Sequence, residues 1–113
     1  MMETAMMKLL RLYTSETAYF GDRRVFEVVA TRAREQGLRG ATILQAMIGF
    51  GRSAHVHSRH VLDDDRSVVV EIVDEDAKLR AFVGTLTHLP EFGLVTIEDV
   101  ETLSVGTAPA RQA

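Results

Sequence analysis

At 113 residues the chain holds about one domain, too little for a catalytic domain plus a separate recognition domain. Hydrophobic residues make up 46% and charged residues 26%, ordinary usage for a soluble globular protein, which excludes disordered, collagen-like and disulfide-scaffold chains. There is no cysteine, hence no disulfide, thiolate zinc site or thiol nucleophile, and a net charge of −3 excludes a generally basic nucleic-acid binder. Of the 13 basic residues only Lys8 and Lys78 are lysine. The arginine excess suits phosphate or carboxylate recognition and equally matches a genomic base-composition habit. The start, MMETAMMKLLRLY, is interrupted by Lys8 and Arg11 before a signal-like apolar run develops, and no apolar stretch approaches the roughly 18 residues of a membrane span. A cytoplasmic protein is expected.

In chain order, residues 1–6 read as an N-terminal extension, and Met7–Tyr13, M-K-L-L-R-L-Y, as a short strand with mostly apolar faces. A polar stretch leads to Asp22, which is placed to cap a helix over 23–36. Val25, Phe26, Val29, Ala30 and Ala33 form its apolar stripe, and Gly37 supplies the left-handed stop. The run A-T-I-L-Q-A-M-I-G-F-G from Ala41 to Gly51 is β-branched and glycine-bounded, favouring a strand over a helical turn. Residues 52–66 carry no sustained apolar face and read as a long loop, a feature more often functional than not in a compact domain.

Ser67–Val73, S-V-V-V-E-I-V, is the clearest strand. Asp74 is then expected to cap a second helix with Glu75 and Asp76 in its first turn, a stripe of Leu79, Phe82, Val83, Leu86 and Leu89, and an end at Pro90–Gly93. Leu94–Val105 gives the last strand, and 106–113 a small polar, flexible tail. The order βαββαβ predicts an α+β, ferredoxin-like fold: a four-stranded antiparallel sheet with two helices on one face. Because Val68, Val70 and Ile72 alternate with the equally apolar Val69 and Val73, the face without helices needs a partner, which predicts an oligomer packed through sheet faces.

Three constellations carry chemistry. Gly49-Phe50-Gly51-Arg52 combines glycines that leave amide donors free for phosphate oxygens with a planar cationic fork, while Phe50 is suited to packing. His55, His57 and His60 form H-x-H-x-x-H, in which an extended segment puts two imidazoles on one face for Zn²⁺ or Cu²⁺; solvated loop histidines are the plainer reading. Asp63-Asp64-Asp65 reads as a solvated turn, and Glu71, alone among apolar strand residues, as the partner of an arginine across an interface. Glu98, Asp99 and Glu101 look like an acidic solvated edge, and His88 sits favourably at the end of the second helix. With no nucleophile–base arrangement, Walker loop or G-x-G-x-x-G, a non-enzymatic role is expected.

The stretches K-L-L-R-L-Y near the start, A-R-E-Q-G-L-R-G-A-T-I at 33–43, I-G-F-G at 48–51, V-V-V-E-I-V-D at 68–74 and F-G-L-V-T-I-E-D-V at 92–100 occur in order. With them the chain resembles, over residues 7–105, the domain of unknown function 190 family of the PII-like superfamily. The resemblance implies a homotrimeric regulator that binds ATP, ADP or AMP in intersubunit clefts and signals through a T-loop, here 52–66, to a partner protein. Gly49, Phe50, Gly51 and Arg52 look like the opening of that loop, and Ile72 and Val73 like the adenine-side wall. Family members are often encoded beside membrane proteins, so a membrane transporter or channel is the partner class implied. Relatives of the CutA type in the same superfamily make a divalent-metal role through His55, His57 and His60 the alternative. The chain departs from PII in its short, lysine-free segment Pro90–Leu94, in Ser53 where PII has glutamine, and in a second strand one residue longer between Gly40 and Gly49.

Overall fold

The computed structural model describes residues 3–46, 67–90 and 92–105. Strand β1 runs Glu3–Ser15, followed by two-residue strands β2 (Tyr19–Phe20) and β3 (Arg23–Arg24), helix α1 (Val25–Glu35) and strand β4 (Thr42–Gln45). Strand β5 (Ser67–Asp74), helix α2 (Asp76–Gly84) and strand β6 (Leu94–Ser104) complete the order. The main sheet is β4-β5-β1-β6, with every neighbouring pair antiparallel. The predicted ferredoxin-like α+β fold is therefore present.

Strand β5 shows how the sequence builds the layer. Its exposure alternates strictly, with Val68, Val70, Ile72 and Asp74 buried and Val69, Glu71 and Val73 half-buried, the period of two that sends successive side chains to opposite faces. Leu10 and Leu12 of β1 lie opposite Ile72 and Val70, and these four join Val25, Val29, Leu79 and Phe82 of the helices in one core. Since only one set of alternate strand residues enters that core, both helices cover the same face. Leu86 and Leu89, predicted on the second helix, are buried in the turns that follow it, so its apolar stripe outlasts its helical geometry.

The start of the first helix differs from expectation. Arg23 and Arg24 are not its first residues but pair antiparallel with Phe20 and Tyr19 around Gly21, whose φ of 68° makes the turn. Helix α1 consequently begins at Val25 with Arg24, not Asp22, at the N-cap, and the Glu27 carboxylate accepts from the Arg24 amide at 3.3 Å. The guanidinium of Arg24 bonds the Tyr19 hydroxyl and Glu16, contacts that raise its pKa, the tyrosine contribution being larger. Asp74 likewise is not at the N-cap of the second helix: it is the last residue of β5, and Glu75 takes the N-cap position of α2 without a side-chain cap bond.

Strand β1 also starts earlier than its apolar pattern. Glu3–Met7 pair with Ser104–Val100, whereas β5 ends at Asp74 opposite Lys8. Beyond Lys8 the sheet is thus a two-stranded ribbon, and it carries the exposed Met6 and Leu103.

Candidate functional site

The C-terminal end of α1 borders a cavity. Gln36 closes the helix, Gly37 follows at φ 80°, its amide donates to the Arg34 carbonyl, and the Leu38 amide donates to the Ala33 carbonyl. This is the Schellman pair of bonds, and it needs a residue free of Cβ strain at Gly37. Leu38 turns inward beside Ala33, both buried, and the chain leaves along Arg39, Gly40 and Ala41 into β4.

Asp74 fastens that departing loop to the sheet. Its fully buried carboxylate accepts from the Arg39 amide at 2.9 Å and from the Glu75 amide at 2.7 Å, so one side chain ties the loop after α1 to the start of α2. Backbone donors on both oxygens compensate a carboxylate that would otherwise be costly to bury. Between the last turns of α1 and residues 37–41 lies a cavity of about 650 Å³, lined by Ala30, Thr31, Ala33, Arg34, Gly37, Leu38, Arg39, Gly40 and Ala41. Its volume is that of a small-molecule site.

Of the sequence-predicted ligand residues, Ile72 and Val73 are on β5. Thr42 lies opposite Glu71 and the Arg39 amide reaches Asp74, so the loop lining the cavity runs alongside them. Ile72 is buried under the helices, while Val73 faces the opposite side of the sheet and is half-buried. Gly49, Phe50, Gly51 and Arg52 lie outside the described residues, as do His55, His57 and His60 and Asp63–Asp65. Among the described residues no group of three or more histidine, aspartate or glutamate side chains is arranged to hold a metal.

Among the described residues the other face of the sheet carries no helix. One row across it reads Leu44, Val69, Tyr13, Leu94, and the next Thr42, Glu71, Arg11, Thr96. Arg11 bonds Glu71 at 3.0 Å and Glu98 at 2.8 Å, and these two hydrogen bonds, Glu71 first, raise its pKa. Glu71 therefore meets its arginine on the neighbouring strand of its own chain, where a partner across an interface was expected. The acidic edge is paired too, Glu98 with Arg11 and Asp99 with Lys8, on a strand that is an edge of the sheet. His88 packs edge-on against Phe20, ring centres 5.3 Å apart, beyond the end of α2.

Residues 7–102 match the family DUF190, described as Uncharacterized ACR. A UPF0166 protein of Aquifex aeolicus (strain VF5) is 38% identical over 98 residues, covering 85% of this chain and 92% of that protein. The chain belongs to the DUF190 family. A second Aquifex aeolicus UPF0166 protein is 34% identical over 77 residues, 66% of this chain and 74% of that one.

In fold, this DUF190 protein is similar to CPII from Thiomonas intermedia K12. The structure of CPII bound to ADP, AMP and acetate has a TM-score of 0.63 at 14% identity, covering 88% of this chain and 91% of that one. The structure of CPII, a nitrogen regulatory PII-like protein, bound to ADP, AMP and bicarbonate has a TM-score of 0.63 at 14% identity, covering 95% and 100%. The fold of the DUF190 protein is PII-like, as the resemblance implied. The cavity residues Gly37–Ala41 were legible in the sequence only as a helix stop and part of a family motif. Their signal is two glycines spaced G-x-x-G around Leu38-Arg39 at a helix-to-strand junction.

Proposed function

We propose that this DUF190 protein is a non-enzymatic PII-like regulator that binds an adenine nucleotide in the cavity at Gly37–Ala41. The observation that carries the reading is that cavity: about 650 Å³, in a fold shared with a protein whose structures hold ADP and AMP. The residues fit such a ligand: the volume is adequate, small residues at Gly37, Gly40 and Ala41 leave room for a flat base, and the described lining holds two arginines and no carboxylate. Nucleotide binding supplies a charged, exchangeable occupant, and this chain's part is to bind and orient it.

In this reading Gly49, Gly51 and Arg52 add phosphate contacts, with Phe50 packing beside them. Residues 52–66 carry the signal to a partner protein of the membrane transporter or channel class. The open sheet face packs against two further copies in a homotrimer, whose neighbours complete the clefts. The rows through Tyr13 and Arg11 supply that surface with apolar area around an internally paired arginine.

Calorimetric titration of the full chain with AMP, ADP and ATP tests the reading. Binding of at least one nucleotide, lost in Arg52→Ala and kept when His55, His57 and His60 are all alanine, is the expected result. No binding of any of the three at millimolar concentration would overturn it. Light scattering should give three times the 12.5 kDa chain mass; the chain mass itself at micromolar concentration would sink the trimer.

A further inference from the structure

The described residues include seven arginines, and they divide sharply. Arg11, Arg23, Arg24, Arg32 and Arg80 each bond a side chain or carbonyl of the protein. Among the described residues the guanidinium groups of Arg34 and Arg39 have no bonding partner, and both line the same 650 Å³ cavity. Arg39 is anchored by its backbone amide on Asp74, which fixes its position while its side chain stays unengaged.

The surroundings select for an anion. Among the described residues no carboxylate lines this cavity, and three of the last carbonyls of α1, those of Arg32, Arg34 and Ala33, accept from the amides of Gln36, Gly37 and Leu38. Two further cavities among the described residues lack this combination. The one between α1 and the β2–β3 turn, about 310 Å³, places Asp22 and Glu35 beside its arginines. The groove between α2 and β6, about 330 Å³, has only Arg80, which is bonded to Asp76.

We infer that Arg34 and Arg39 form an anion clamp that holds phosphoryl oxygens of the ligand in this cavity. The inference rests on the nucleotide reading for the identity of the ligand, while the clamp stands on the arginines themselves. Two planar forks on a helix end and an anchored loop grip one phosphoryl group from two elements, and this makes affinity depend on the ligand's charge. The clamp also gives the arginine excess a use that composition alone does not reveal.

Calorimetry on the full chain with adenosine, AMP, ADP, ATP and inorganic pyrophosphate, repeated for Arg34→Gln, Arg39→Gln and the double variant, tests the clamp. Affinity should rise from adenosine to the nucleotides, and the double variant should lose about tenfold or more for each nucleotide, the loss of charge-assisted hydrogen bonds. Adenosine binding and the thermal melting curve should stay unchanged, since both side chains are exposed. Equal affinity for adenosine and ATP, or a double variant that keeps nucleotide affinity, overturns the clamp and leaves the nucleotide reading intact. Pyrophosphate binding lost in the double variant, with no nucleoside or nucleotide bound, keeps the clamp and sinks the nucleotide reading. No binding of any probe overturns both.

Discussion

The two faces of the sheet are built from alternate residues of the same strands, yet they differ in what covers them. On one, Leu10, Leu12, Val70 and Ile72 are at most 1% exposed beneath α1 and α2. On the other, Leu44 and Leu94 are 47% and 55% exposed, at the two ends of a row whose middle is Val69 and Tyr13. The covered face pays for folding; on the open face apolar area is left uncovered among the described residues. Its central charges are already neutralised in part within the chain by Arg11 between Glu71 and Glu98. An arginine with partners in its own sheet does not leave an isolated charge for a second chain to bury.

The largest effect on stability belongs to the covered face. Leu12→Ala removes a fully buried side chain from the core, and chemical denaturation should show a loss of about 2–5 kcal/mol. Asp74→Ala leaves two amides without their acceptor, and a loss of about 1–3 kcal/mol is expected by the same measurement. The same variant should loosen the cavity loop, seen as faster hydrogen exchange at the Arg39 amide. Gly37→Ala forces a Cβ into φ 80°, with open space around it but backbone strain of about 1–2 kcal/mol. Leu44→Asp, on the open face at an edge strand, should change the stability of the chain by no more than about 0.5 kcal/mol. Its effect should appear instead as a smaller mass by light scattering. If Leu44→Asp unfolds the chain as Leu12→Ala does, the distinction between the two faces fails.

Much of this was readable in particular residues. The β-branched run S-V-V-V-E-I-V gave β5 to within a residue, and Gly37 marked the end of α1 because a helix stop of this geometry needs a positive φ. The misreadings share one cause. Asp22 and Asp74 have the right chemistry for helix caps, but a cap is chosen by where the chain turns, and tertiary bonds moved both turns. Tyr19 and Phe20 captured Arg23 and Arg24 into a ribbon, and the Arg39 amide, 35 residues away, shares the Asp74 carboxylate with Glu75. The ribbon formed by Glu3–Met7 was hidden for a similar reason: its support is pairing with Val100–Ser104, which local pattern does not record.

By itself the sequence determined the order of the main strands and helices and the absence of thiol chemistry, since these depend on periodicity and composition. Only the tertiary structure decided that Glu71 finds Arg11 in its own chain, that Asp74 holds a loop as well as preceding a helix, and that Arg34 and Arg39 are the described arginines left without partners beside one cavity. Pairing between residues distant in sequence is a property of register and closure, and eleven arginines look alike until the fold has satisfied most of those it can reach.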